Sequence, residues 1–567
     1  MISEMIYKIG DNIISPLGET TAQNYKAVKA GHTQLRRYDH YEGVPDSFAA
    51  SLLTEEQWHR LAVKGMTRFE SLAYHSAEKA IQEAGINPAI SKAVFILSTT
   101  KGNIELLESR PNDSGPGSAA KHIASALGFE TTPITVCNAC ISGVSAIILA
   151  MHLLELKSYD YAVVCGADIL TPFVISGFLS LKALSQEPCR PFDIERIGLN
   201  LGEAAATIVL QRSDQPGANK ETWNFLAGAT RNDAFHVSTP SKNAEGARLA
   251  LEAIGAKQIQ QKIAFVNAHG TATMFNDQME SVAIERTGLS TPVNAFKGYF
   301  GHTLGAAGVL ETILSMASVD DHTILGTKGF KERGVSGNIL LTSENSKTNR
   351  NGFIKMISGF GGCNAAILVS KESCGRRSLP LSGSIEEPIH SITITSTKVI
   401  VDSHDVNHEG TGQNLLTNLY KRYIGDYPKY YKMDALCRLG FIASELLLKA
   451  ENDRREETRS DRAIILFNQS SSIHADLEYQ ASIQNTDNYY PSPSAFVYTL
   501  PNIVTGEIAI RNHYQGETSF YILPQKDLRL MEEIITASFA DPATRSVLCG
   551  WLDYQDDDHF IAEMFLI

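Results

Sequence analysis

The sequence has no run of apolar residues long and unbroken enough to cross a bilayer. Its first residues, MISEMIYKIGDNIISPLGE, place acidic residues and glycine inside any would-be apolar region, so they do not read as a secretory signal. Cysteine is sparse. There are eight in 567 residues, scattered without framework spacing, and the Cys137/Cys140 pair lacks a second pair to complete a zinc site. A disulfide scaffold and a structural zinc are therefore not expected, and reduced thiols in a cytoplasmic protein fit better. Positive charge is also in deficit. Fifty Lys and Arg face 63 Asp and Glu, a net charge of −13, which argues against nucleic acid as the main partner and leaves room only for a local basic patch.

What is present is ordinary for a globular protein, 43% hydrophobic and 20% charged, at a length that allows several domains. Ile6–Asn12 suggests a first strand, and Met66–Gly85 is strongly helical with Gly85 as its stop. Ala93–Leu97, Tyr161–Ala167 and Ala204–Leu210 read as short buried strands. In the second half Arg248–Gly255, Asn276–Thr287 and Gly305–Ser318 look helical, with strands at Ile263–Asn267 and Ala365–Ser370. Strands alternating with helices predict a layered α/β sheet. Composition then shifts to Pro, Gly and Ser, which marks a linker. The expected divisions are a first half at 1–212, a second at 213–372, a linker at 373–389 and a further half-domain at 390–567.

That last segment repeats the first half in order. Met433–Lys449 parallels Met66–Gln82, Ala463–Ile473 parallels Ala93–Ile104, and Val547–Gly550 parallels Val163–Gly166. The stretch TVCNACISGVSAII, Thr135–Ile148, would correspond to Phe496–Ile510, with Ile503 where Cys140 stands. The repeat would then have no nucleophile.

Cys140 is the centre of the chemical reading. It lies where a short strand meets a helix. Unpaired N–H groups and the helix dipole there favour a thiolate, and Ala139, Ser142 and Gly143 leave room for a substrate. VNAHGTAT places His269 just after a strand, and KGYFGHTLGAAG places His302 five residues after Lys297. Neutral imidazoles can donate N–H bonds to a developing oxyanion. The loop SGFGGCN, Ser358–Asn364, allows close backbone approach and lacks the Lys and Ser/Thr of a phosphate loop.

Together NACISG, CRPFD, VNAHGTAT, KGYFGHTLGAAG and GFGGCN, in that order over about residues 1–372, resemble a β-ketoacyl-ACP synthase. The resemblance implies a thiolase fold, two βαβαβαββ halves stacked as α-β-α-β-α layers. It implies a decarboxylative Claisen condensation in which Cys140 takes an acyl group and malonyl-ACP supplies the carbanion, in a fatty-acid, polyketide or aryl-polyene-type pathway. The backbone N–H groups of Cys140 and Phe360 would form one oxyanion hole, and His269 and His302 the other. Thr271 and Thr273 would hold the pantetheine arm, Phe360 would gate the acyl pocket and Glu311 would support Lys297. Asp277 and Glu280 are read as structural. No metal and no cofactor is expected beyond the phosphopantetheine brought by the acyl carrier protein. Arg60, Lys64, Arg68 and Arg190 are candidates for carrier docking, against an equal reading as solvated charges. Tyr299 and Phe300 after Lys297, and Ser358 before the glycine loop, depart from the family pattern and could reshape the entrance or pocket. The expected assembly is a homodimer, or a pseudo-dimer formed with residues 390–567. Two rivals are a non-catalytic chain-length-factor-like partner and a coenzyme A-dependent enzyme of the same fold, the second kept alive by Cys363.

Overall fold

The computed structural model describes residues 5–213, 222–372, 388–449, 451, 455–485 and 489–567. The expected linker falls almost wholly outside them. Among the described residues no helix is long and apolar enough to cross a membrane.

One sheet topology occurs in each of the three segments. In the first, the edge strand Ile134–Val136 runs parallel to Ala93–Ser98, which runs parallel to Tyr161–Asp168; Ala204–Ser213 and Met5–Ile14 follow antiparallel. In the second, the same order is Pro292–Asn294, Ile263–Asn267, Gly352–Gly359, Cys363–Ser370 and Asn224–Asn232. In the third it is Thr518–Ile522, Arg462–Asn468, Ser546–Tyr554, Phe560–Leu566 and His390–Thr395. The parallel strands are buried on both faces and read as continuous apolar runs, AVFILS and YAVVCGAD among them.

Local signals set the helices. Arg68–Ala84 begins in a capping box of Thr67 and Glu70 and ends at Gly85 in the left-handed region, φ 65°. Helices Ser142–Glu155 and Ala307–Asp320 are buried almost throughout. They meet at glycine: a Cβ on Gly308 would lie 2.5 Å from the nitrogen of Val144. This contact fixes the start of the Cys140 helix.

The third segment continues the sheet of the first. Tyr521 and Ile522 pair antiparallel with Val136 and Thr135 across the two edge strands. The N–H of Cys137 donates to Phe520 O at 3.1 Å, and the N–H of Phe520 donates to Asn138 Oδ1 at 2.7 Å. Buried ion pairs tie the third segment to both of the others. Lys101 Nζ lies 2.6 Å from Asp476 Oδ1, and Arg231 holds Asp541 through both guanidinium nitrogens.

The register expected for the repeat is corrected. Phe496–Ile510 is not a strand and turn; it spans helices Pro493–Tyr498 and Ile503–Asn512, ahead of the edge strand. Ile503 is therefore not the counterpart of Cys140. The counterpart turn follows Thr518–Ile522 and reads Leu523-Pro-Gln-Lys-Asp527 before helix Leu528–Ser538. It holds no thiol and no hydroxyl. The two stretches share an apolar composition and a glycine, but strand order and not residue type sets the correspondence.

Candidate active site

Cys140 occupies a single turn, Ala139–Ile141, between its edge strand and its helix. Ala139 adopts φ 47°, a strained value for a residue with a side chain. Ser142 Oγ stabilises the turn by accepting from the N–H of Asn138 at 2.8 Å and donating to Ala139 O at 2.6 Å. The N–H groups of Cys140 and Phe360 both reach the Cys140 sulfur. Burial nevertheless pushes the thiol up to about 12, against the pull of Lys297. Desolvation thus outweighs the helix start, and the resting group is a thiol, not the thiolate expected from the sequence.

His269 and His302 stand edge to face, ring centres 4.9 Å apart. One ligand atom from each and the Cys140 sulfur lie within 4.8 Å of one another. Three such groups could hold a metal, but the ammonium groups of Lys297 and Lys355 lie close and oppose a bound cation. Burial first, then Lys297, hold both imidazoles well below the ordinary histidine range, so both are neutral. His302 Nδ1 accepts from the N–H of Leu304 at 3.2 Å, which leaves the proton on Nε2. That buried Nε2 has no protein partner, nor has His269 Nδ1. His302 thus offers a free donor where an oxyanion can sit.

Behind the histidines lies a buried charge network. Glu311 bridges Lys297, at 2.8 Å, and Lys355, at 2.5 Å. Lys355 also donates to Ala268 O, next to His269, at 3.2 Å. Burial depresses Lys355 to about 8. Lys355 was missed from the sequence. A lysine within the buried strand GFIKMISG was the available signal, because a charge there requires a partner.

Asp277 and Glu280 hold the HGTAT loop. Asp277 accepts from the N–H groups of Phe192 and Ala272 at 2.6 and 3.1 Å. Glu280 accepts from those of His269 and Gly270 at 2.6 and 2.8 Å. Desolvation raises them to about 6 and about 7. Their oxygens are occupied by N–H donors, as a structural role requires.

Cys140, His269, His302, Thr271, Thr273 and Phe360 line one open cleft of about 430 Å³. Thr271 and Thr273 hydrogen-bond each other at 2.9 Å. Ser358 lines the same cleft and donates to Asn364 Oδ1 at 2.7 Å. Tyr299 and Phe300 are buried and line neither the cleft nor the small cavity beyond Cys140, so they do not shape the entrance. Cys363 Sγ lies 3.1 Å from Phe360 O, and burial holds its proton. Arg60, Arg68 and Arg190 are ion-paired with Glu19, Glu55 and Glu195, and neither they nor Lys64 line the cleft. Asn502 of the third segment was also missed. Its Nδ2 donates to Phe360 O at 2.8 Å.

Two family descriptions match the chain: the Beta-ketoacyl synthase N-terminal domain over residues 8–215, and its C-terminal domain over residues 225–331. The chain belongs to the β-ketoacyl synthase family. With this, its first two segments form a thiolase-fold ketosynthase, an acyltransferase of the condensing type. It is 25% identical over 413 residues to 3-oxoacyl-[acyl-carrier-protein] synthase 2 of Vibrio cholerae, covering 65% of this chain and 100% of that relative. The ketosynthase solved in complex with its chain length factor from Xenorhabdus doucetiae matches with TM-score 0.55 and 22% identity, over 65% of this chain and 98% of that one. The structure titled PfaC Keto synthase-Chain length factor matches 97% of this chain and 74% of its own, with TM-score 0.75 and 14% identity. That likeness is one of fold, and it extends over the third segment.

Proposed function

We propose that the chain is an active 3-oxoacyl-[acyl-carrier-protein] synthase whose third segment serves as a built-in partner. Cys140 Sγ attacks the carbonyl of a carrier-bound acyl thioester, its proton passes to the departing pantetheine sulfur, and the acyl group moves to Cys140. The N–H groups of Cys140 and Phe360 receive the oxyanion of that step. A malonyl-carrier then enters the same cleft. Its C–C bond to the carboxylate breaks, CO₂ leaves, and the electron pair becomes an enolate whose oxygen the neutral imidazoles of His269 and His302 stabilise. The enolate carbon attacks the thioester carbonyl, the C–S bond breaks, and Cys140 leaves as a thiolate that takes a proton from water to return to the resting thiol. Lys297, Glu311 and Lys355 keep positive charge beside the histidines and so keep them neutral. Thr271 and Thr273 receive the pantetheine arm.

The observation that carries this reading is the convergence of Cys140 with two neutral histidines, one carrying a free N–H on Nε2. It favours decarboxylation over the coenzyme A rival, because Cys363 keeps its proton and is no base. It also weighs against a non-catalytic chain-length-factor role for residues 1–372. The pairing of Thr518–Ile522 with the Cys140 strand, and the bond from Asn502 to Phe360, support a pseudo-dimer within one chain. The carrier meets the mouth of the cleft; of the docking candidates, only Lys64 has no carboxylate partner among the described residues. The seven cysteines among the described residues are all free and buried, which fits a cytoplasmic setting.

The test is to incubate the protein with an acyl-carrier, then map the thioester by peptide mass spectrometry and assay CO₂ release from malonyl-carrier. A label on Cys137 or Cys363 with Cys140 free overturns the assignment.

A further inference from the structure

Cys140 lines two cavities. One is the open cleft with Thr271 and Thr273. The other lies toward the third segment and measures only about 20 Å³, with Phe178, Leu304, Phe360, Phe496 and Leu500 among its walls. That is room for one water-sized group. A thioester whose arm fills the cleft would turn its acyl group toward this second space.

Phe496 and Leu500 come from the third segment. Phe496 is seated on Gly177, where a Cβ would lie 2.1 Å from the ring. Its ring centre is 5.4 Å from that of Phe178 and 5.5 Å from that of Tyr479, so it is wedged in place. Beside it, Lys101 also lines the cavity. Its ammonium bonds Asp476 and Thr499 O, both of the third segment, and lies 5.2 Å from the centre of the Phe173 ring. These partners saturate it, so it serves as a wall and not as a receptor for a ligand. An extended alkyl chain would have to displace the wedged ring and separate a buried ion pair, which leaves an uncompensated charge.

We propose that Cys140 accepts only a short acyl group, acetyl or close to it, and that the third segment imposes this limit through Phe496 backed by the Lys101–Asp476 pair. The inference rests on the function proposed above and names its acyl substrate class.

The test uses the full chain with acetyl, butyryl, hexanoyl and octanoyl carrier thioesters, and reads loading of Cys140 by intact mass. Acetyl is expected to load at least about tenfold faster than hexanoyl, the size discrimination a filled apolar pocket gives. Phe496→Ala is expected to raise the hexanoyl-to-acetyl ratio by about tenfold. Leu500→Ala opens the same cavity and is expected to raise it as well, so the inference is still tested if Phe496→Ala does not fold. Octanoyl loading as fast as acetyl in the unaltered protein overturns the inference while leaving the condensing activity intact. An unchanged ratio in both variants overturns it too. Failure of every thioester to load Cys140 brings down the proposed function and, with it, the inference.

Discussion

Two turns occupy equivalent places in the chain and differ in nearly everything that matters for chemistry. After the edge strand Ile134–Val136 comes Cys-Asn-Ala-Cys-Ile, then a helix buried from Ser142 to Leu154. After the edge strand Thr518–Ile522 comes Leu-Pro-Gln-Lys-Asp, then a helix whose Leu528, Arg529 and Glu532 face solvent. The first helix is covered by Ala307–Asp320 of the second segment. The second helix packs its apolar face against the Cys140 helix Ser142–Glu155 and leaves charged residues on its outer face. The same fold thus carries a cysteine at one turn, whose helix is buried almost throughout, and neither thiol nor hydroxyl at the other, whose helix keeps a solvent face. The third segment keeps what a neighbour needs, namely the edge strand, the buried pairs and the contact to Phe360. It has lost what a catalyst needs.

The comparison breaks most sharply at Cys140. Cys140→Ala is expected to abolish condensation. Cys140→Gln is expected to retain malonyl decarboxylation, because the histidine donors survive. Ala substitution at His269 or His302 is expected to lower decarboxylation by about 10²–10³-fold, the cost of one oxyanion donor, while acylation of Cys140 persists in part. Carbon dioxide release from malonyl-carrier, measured beside mass mapping of Cys140, separates the two. Decarboxylation at the unaltered rate in either histidine variant makes that histidine structural.

The next test is of the wall. Thr518–Ile522 already fills the edge of the Cys140 strand, so the protein is expected to run as a monomer near 62.0 kDa in light scattering. Arg231→Ala leaves Asp541 buried and unpaired across the boundary, and is expected to cost about 3–5 kcal/mol of stability in denaturant titration. A stable dimer through the edge strand, or no loss on substitution, shows that the third segment does not take the partner's place.

Much of this was legible because catalytic residues sit at fixed offsets from turns. Cys140 and His269 each follow a strand end, His302 follows the short helix Lys297–Phe300, and glycine or small residues flank all three. The repeated strand order was also readable, since AVFILS and RAIILFN carry the same apolar pattern. What failed was register. Phe496–Ile510 and Thr135–Ile148 have similar composition, and only the long-range pairing of Thr518–Ile522 with the Cys140 strand tells helix from strand there. The Phe496–Ile510 stretch is legible as buried interface core, but the individual contacts of Asn502, Asp476 and Phe496 are not, for the same reason. Each acts on a residue more than 130 positions away, so no local spacing signals it. Lys355 gave a signal that was passed over, a charge inside an apolar strand. The thiol state of Cys140 could not be read either, because it depends on how completely the cleft is buried.

A smaller effect probes the buried charge that the second segment sets beside the histidines. Burial and two ammonium groups keep both histidines neutral. A histidine with a lowered value protonates only in more acid solution, so decarboxylation should hold through pH 6.5, the ordinary value quoted for the group, and fall only below it. Lys355→Met removes one nearby positive charge and leaves Glu311 paired with Lys297. The histidine values then rise toward ordinary, and the acid limb of the pH–rate profile should move to higher pH by up to about one unit. An unmoved limb assigns Lys355 to packing alone.

The finest test is Asn502, among the described residues the one side chain of the third segment that hydrogen-bonds the backbone of Phe360. Its Nδ2 donates to Phe360 O at 2.8 Å and lies 3.8 Å from the Cys363 sulfur. Gly361, at φ 91°, follows Phe360, and a Cβ there would meet Asn502 Nδ2 at 2.7 Å. The Phe360–Gly361 loop therefore fits closely against the third segment. Asn502→Ala removes one hydrogen bond, about 1 kcal/mol, and frees Phe360, whose N–H faces the Cys140 sulfur. Acyl transfer to Cys140 is expected to slow by about fivefold, the rate equivalent of that energy. Decarboxylation in the Cys140→Gln background is expected to stay unchanged, because the histidine donors do not touch this loop. Equal losses in both half-reactions would mean that Asn502 supports the whole cleft and not the thioester hole, and the third segment would then be a scaffold for the site as a whole.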